Sequence, residues 1–207
     1  MLDLERISVL LKPYTGEQEW TQSQLEIIST YIDILTKWNE RTNLTSIRNP
    51  DEVVQRHFGE SLFAAIQLLS SDSTSTVIDV GSGAGFPGLP LKIYAPDLRL
   101  TLIEAHSKKN TFLREVVRAI GLTGVEVFLG RAEQFTSKAE LVTLRAVEHF
   151  NSILPIAGNL VEEGGRLAVM IGAEQVATGS EILPGAWAEP VPIPNSHARV
   201  LAVRTSS

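Results

Sequence analysis

The sequence predicts an α/β fold: a mostly parallel, Rossmann-like sheet closed by a C-terminal antiparallel pair and preceded by an N-terminal helical extension. Three observations carry this. Strand and helix patterns alternate from Thr76 onward, the first strand runs directly into a glycine loop that opens a helix, and the first third reads as helices alone. Residues 1–72 form the expected extension, packed on a domain of residues 73–207 in one globular unit.

Leu25, Ile28, Ile32 and Leu35 recur at steps of three and four, and Trp38 extends the stripe, which makes 22–38 an amphipathic helix with Trp38 in its core face. Asn49-Pro50-Asp51-Glu52 supplies a cap, a first-turn proline and two acids for a second helix through Leu69. After them come a strand at 76–81, a helix, a strand at 98–105, a helix at 108–121 and strands at 125–130 and 140–147. A helix at 150–164 and a strand at 165–172 follow. In the tail, 187–194 and 198–205 read as the closing antiparallel pair.

Composition narrows the chemistry. With 207 residues, 43% hydrophobic and 20% charged, the chain can bury a sizeable core. It has no cysteine, so disulfides, thiolate metal sites and cysteine nucleophiles are excluded. His57, His106, His149 and His197 lack the spacing of a helical metal pair, so no metal is expected. No long apolar run and no basic leader predict a cytoplasmic protein without a membrane partner. A net charge of −6 argues against nonspecific coating of nucleic acid. Between Glu104 and Arg118, however, four basic residues, Lys108 and Lys109 among them, oppose two acidic ones.

The segment from Val77 to Gly88 is the most informative. Its Gly81, Gly83 and Gly85 allow a ligand to approach the backbone closely, and Gly83 to Gly88 also satisfies the dinucleotide pattern G-x-G-x-x-G. A nicotinamide or flavin oxidoreductase is therefore a rival. Asp79 at the strand end suits a cofactor ammonium better than a pyrophosphate, and Pro87 removes an N–H group that a pyrophosphate would use. Both favour S-adenosyl-L-methionine and hence a class I methyltransferase fold. Phe86 is expected to pack against the cofactor or a helix.

Glu104, twenty-three residues after Gly81, stands where such sheets place an acid against ribose hydroxyls. Beyond the third strand, backbone N–H groups and Glu133 in Gly130-Arg131-Ala132-Glu133 can read an adenine edge; an ordinary helix cap is the alternative. At the fourth strand Leu144-Arg145-Ala146-Val147 replaces the Asn/Asp-Pro-Pro-aromatic sequence often found in amine methylases. Without cysteine for cytosine C5 chemistry, an acceptor that is already nucleophilic remains, such as guanine N7.

At this point the sequence resembles the bacterial small-subunit ribosomal RNA guanine-N7 methyltransferases, the glucose-inhibited division protein B family, over roughly residues 20–205. The resemblance rests on Lys37-Trp38-Asn39, Asn43-Leu-Thr-Ser46, Arg56-His57, Glu60-Ser61, the loop from Asp79 to Gly88, Lys108-Lys109, Phe112-Leu113, Arg131-Ala-Glu133 and Arg145-Ala146. It implies cofactor contacts from Gly81, Phe86, Ala132, Glu133 and Arg145, with Glu104 near the ribose. It also implies an RNA-facing wall from Asn39, Asn43, Arg56, His57 and Ser61, with further RNA contacts from Lys108, Lys109 and Arg131. The chain departs from the family pattern at Glu60, where aspartate is usual, at Leu144, where serine is usual, and at Ile171, where lysine is usual.

The implied reaction transfers a methyl group to N7 of a guanine in 16S ribosomal RNA, free or in the small subunit, by a monomer. No proton leaves, so no catalytic base is needed, and Arg145, Arg56 and His57 act by positioning. Arg145 is expected to bond guanine O6 or the cofactor carboxylate, or else to pair with Glu148 or Glu133. A noncatalytic cofactor-sensing or RNA-binding module is the remaining alternative.

Overall fold

The computed structural model describes residues 2–146 and 149–206. Helix α1 (Leu4–Thr15) begins where the Asp3 carboxylate accepts the Arg6 amide, and α2 (Gln22–Asn39) begins in a capping box between Thr21 and Gln24. Asn49 caps α3 (Pro50–Val53), whose axis continues through a π-helical turn, Val54–Gly59, into α4 (Glu60–Leu68). The single helix expected from Asn49 is thus continuous but locally widened, and the widened turn carries Arg56 and His57.

Next come β1 (Thr76–Val80), α5 (Gly88–Tyr94), β2 (Arg99–Glu104), α6 (Ser107–Ala119), β3 (Val125–Leu129) and, after a 3-10 turn at Ala132–Gln134, β4 (Ala139–Arg145). Helix α7 (Phe150–Asn159), β5 (Val161–Gly172), α8 (Gln175–Ile182), β6 (Ala186–Trp187), β7 (Val191–Pro192) and β8 (Arg199–Thr205) complete the chain. The strand order is β3-β2-β1-β4-β5-β8-β6, with β7 also on β8. Strands β1 to β5 are parallel, and β8 runs antiparallel to β5.

Period-two alternation sends the two sets of strand side chains into different cores. Val77, Leu100, Leu102, Leu141, Ala168 and Met170 join the core that α1, α2, α4, α5 and α6 share. Ile78, Val80, Ile103, Val142, Leu144 and Val169 face α7 instead. The N-terminal helices therefore share one apolar cluster with the sheet.

Three sequence expectations change. Residues 161–164, read as the end of a helix, begin β5, where Val161 pairs with Ala139 before a bulge. Helix α8 has no signal in the sequence, because Ala177, Thr178, Gly179 and Ser180 give no apolar period. The closing pair is broken: Pro190 and Pro192 leave only two short strands on β8, and the long antiparallel partner of β8 is β5.

Candidate active site

Strand order reverses between β1 and β4, and sheets of this kind bind ligands outside the carboxyl ends of the strands at such a point. Two clefts open there. One, of about 300 Å³, is lined by Gly81, Ile103, Glu104, Ala132, Glu133 and Ile156, with Arg131, His149 and Ile153 at its wall. The other, of about 540 Å³, is lined by Thr45, Arg56, His57, Phe86, Lys109 and Arg145, together with Gly81 to Ala84, Met170 and Arg199. Gly81 lines both.

The glycine loop is held from within. The N–H groups of Gly81 and Ser82 donate to the Ile103 carbonyl, those of Gly85 and Phe86 to the Ser82 carbonyl, Gly83 to Glu104 Oε2 at 2.9 Å and Gly88 to Asp79 Oδ2 at 3.3 Å. A pyrophosphate needs such donors free. The smaller cleft instead offers apolar walls with carboxylates at the edge, which fits a nucleoside. Glu104 also accepts the His106 amide at 2.7 Å, and its two oxygens keep lone pairs for hydroxyl donors.

Asp79 is not in either cleft. Its carboxylate is 1% exposed and accepts from Thr143 Oγ1 at 2.7 Å and from Gly88, beneath the loop. Burial pushes its pKa up to about 6 against the opposing hydrogen bonds. The sequence offers Asp79 to the cofactor ammonium directly or through water; in the fold its carboxylate braces β1 against β4 and the start of α5. Gly85 is also turned inward, since a Cβ there would lie 2.3 Å from Tyr31 Oη. Gly83 faces the larger cleft.

Phe86 stacks with Tyr31, ring centroids 5.4 Å apart, and with His57 at 4.7 Å and 16° between planes. The His57 Nε2 lies 2.8 Å from Thr45 Oγ1. Burial, then Arg145 and Arg56, lower the His57 pKa to about 3, so the imidazole is neutral at physiological pH.

Asn39 and Ser61 were expected to face RNA, yet they are 6% and 0% exposed. Asn39 Oδ1 accepts the amides of Leu44 and Thr45 while its Nδ2 donates to the Thr45 carbonyl, which shapes the loop that presents Thr45 to His57. Ser61 Oγ donates to the His57 carbonyl at 2.6 Å. Both hold the wall from behind. Asn43 and Lys108 are exposed outside the two clefts, Lys109 lines the larger one, and Arg131 lines the smaller one.

Arg145 donates to Glu60 Oε2 at 3.0 Å, to Ser61 Oγ at 3.3 Å and to the Arg56 carbonyl. Its partner is therefore Glu60, not Glu133; Glu148 and Val147 lie outside the described residues. Glu60, 1% exposed, also accepts from Arg199 Nη2 at 2.5 Å and forms an ion pair with Arg56, whose Nε lies 3.2 Å from Oε1 without hydrogen-bond geometry. Sequence reasoning missed Arg199, Thr45 and Tyr31. Thr45 sits in a quoted motif, whereas Arg199 carries no local signal in an ordinary strand pattern. Leu144 and Ile171, two of the departures from the family pattern, are buried core positions.

Among the described residues, no helix is long and apolar enough to cross a membrane, and no three or more His, Asp or Glu are grouped to hold a metal.

Comparisons with known proteins give the family and the fold. The chain is 39% identical over 196 residues to "Ribosomal RNA small subunit methyltransferase G" of Roseiflexus sp. (strain RS-1), covering 88% of this chain and 83% of that relative. Its counterpart in Xylella fastidiosa (strain M23) is 42% identical over 162 residues, covering 76% and 73%. In fold, the chain is similar to a SAM dependent methyltransferase from Aquifex aeolicus, with TM-score 0.65 and 15% identity, covering 80% of this chain and 97% of that one. It is also similar to a ribosomal protein L11 methylase from Lactobacillus delbrueckii subsp. bulgaricus, with TM-score 0.61 and 12% identity, covering 74% and 80%. The family model described as rRNA small subunit methyltransferase G matches residues 24–181, and with these relatives it shows that the chain belongs to the GidB family of S-adenosylmethionine-dependent ribosomal RNA methyltransferases.

Proposed function

We propose that the protein transfers the methyl group of S-adenosylmethionine to N7 of a guanine in 16S ribosomal RNA. The observation that carries this reading is Gly81, which lines both clefts and so marks where cofactor and acceptor meet. Residues 73–207 supply the cofactor cleft through Gly81, Glu104, Ala132 and Glu133. The helical segment 1–72 supplies one wall of the acceptor cleft through Thr45, Arg56 and His57. We place the reaction in the cytoplasm and assign it to a monomer.

S-adenosylmethionine supplies an electrophilic methyl group on a sulfonium. Ile103, Ile153 and Ile156 would give its adenosine an apolar wall, Glu104 would accept from the ribose hydroxyls, and Glu133 stands at the rim. On the acceptor side the neutral imidazole of His57, backed by the buried ring of Phe86, offers an aromatic surface to a base. N7 attacks with a lone pair and loses no proton, so the chain supplies position and not a base. Alignment of this kind is worth about 7 kcal/mol or more. Arg145, tied to Glu60, fixes the π-helical turn that carries His57.

The test is transfer of labelled methyl from S-adenosylmethionine to free 16S RNA and to small subunits, followed by mapping. N7-methylguanine at one position is the expected product. Methyl at another atom, or no transfer to either substrate, overturns the reading.

A further inference from the structure

The acceptor cleft concentrates positive charge that the ion pairs do not neutralise. Arg56, Lys109, Arg145 and Arg199 line it, and their acidic neighbours are Glu60 and Glu52. Among the described residues, a chain of net charge −6 thus gathers four cations against two anions at one place. The three guanidiniums are not equivalent. Arg145 is 11% exposed and spends its donors inward, on Glu60, Ser61 and helix carbonyls. Arg56 and Arg199 are 39% and 31% exposed, and both are anchored to the same oxygen, Glu60 Oε1.

Each of these two arginines keeps most of its five N–H donors. The Nε atoms of both are buried without a hydrogen-bond partner. Two guanidiniums fixed on one buried carboxylate oxygen lie close together at the cleft wall, where their mutual repulsion persists until an anion arrives. A fork of this kind matches the geometry of a phosphate.

We propose that Arg199 and Arg56, held by Glu60, form a phosphate clamp that grips the RNA backbone beside the target guanine. The clamp rests on the reading of this cleft as the RNA side. It explains how an acidic protein binds a polyanion, because one pre-organised pair replaces a broad basic surface. It also gives the last strand, β8, a part in substrate binding.

The experiment measures the affinity of the full chain for 16S RNA across salt concentrations, for the wild type, Arg199→Ala and Arg199→Lys. For Arg199→Ala the clamp predicts a dissociation constant raised about tenfold, the loss of one charge-assisted contact. It also predicts a log affinity against log salt slope shallower by about 0.7 to 0.9. KM for RNA rises while kcat and cofactor affinity hold. Arg199→Lys restores the slope. An unchanged slope and affinity in Arg199→Ala overturns the clamp; so does a fall in melting temperature or cofactor affinity with the salt slope intact, which makes Arg199 a structural tie. Absence of N7-methylguanine from the wild type overturns the functional reading, while the clamp is decided by the slope alone.

Discussion

The imidazole of His57 lies against the ring of Phe86, centroids 4.7 Å apart, and its Nε2 meets the Thr45 hydroxyl at 2.8 Å. Thr45 Oγ1 also accepts the Ile47 amide, so one hydroxyl ties the loop before α3 to the His57 imidazole. With a pKa of about 3, this residue stays neutral throughout turnover. Methyl transfer is therefore flat between pH 7 and 9. A pH–rate profile checks it, and an NMR titration should show no protonation of His57 until the pH falls below about 4. A rate limb that follows a His57 ionisation near neutrality contradicts this account.

His57 and Asp79 shift in opposite senses, and their effects on stability oppose each other. The His57 pKa is depressed, so its contribution is present above the unfolded value of 6.5 and is lost as pH falls toward 3. The Asp79 pKa is raised, so its contribution is present below 3.8 and is lost as pH rises through about 6. Between about pH 4 and 6 the two slopes cancel. Removing Asp79 as Asp79→Asn should expose the His57 slope, a gain of about 1.4 kcal/mol per pH unit relative to the wild type. His57→Phe should expose the reverse slope. Denaturant melts at pH 4, 5 and 6 measure both.

Glu60 is the hub of three guanidiniums, and its removal leaves them repelling one another around a buried site. Glu60→Gln should cost about 3 kcal/mol, toward the low end for a broken buried pair because Arg56 and Arg199 reach solvent. Arg56→Ala, whose side chain is 39% exposed, should cost less than about 1 kcal/mol. Equal losses in urea melts would show that Glu60 is no hub.

Gly85 and Gly83 both have positive φ, at 89° and 56°, yet only Gly85 faces an obstruction. Gly83→Ala should cost about 1 kcal/mol of backbone strain. Gly85→Ala adds the collision with Tyr31 Oη and Leu89, and should cost clearly more and lower cofactor affinity by displacing the loop. Calorimetric melting of both variants, with cofactor titrations, gives the ranking. A Gly83 variant that is the less stable of the two refutes the packing explanation.

Most of the fold was legible in the residues because its signals are local. Period two in 76–80 and 99–104, the three-and-four stripe of 22–38 and the glycine loop each announce an element within a few residues. The errors fell where context overrides local pattern. Val161 joins a strand because Ala139 is there to pair with it, and the helix at 175–182 has too little apolar period to declare itself.

The sequence by itself determined the α/β architecture, the glycine loop and, through its resemblance, the family and the reaction to test. Local periodicity and short motifs write these in contiguous residues. Only the tertiary structure decided which residues face the clefts. It turned Asp79, Gly85, Asn39 and Ser61 inward and brought Arg199 to Glu60 across 139 positions of chain. It also set Gly81 between the two clefts. The reason is physical: burial, pKa and the partner of a guanidinium depend on groups that meet only when the sheet assembles, and no window of sequence contains them.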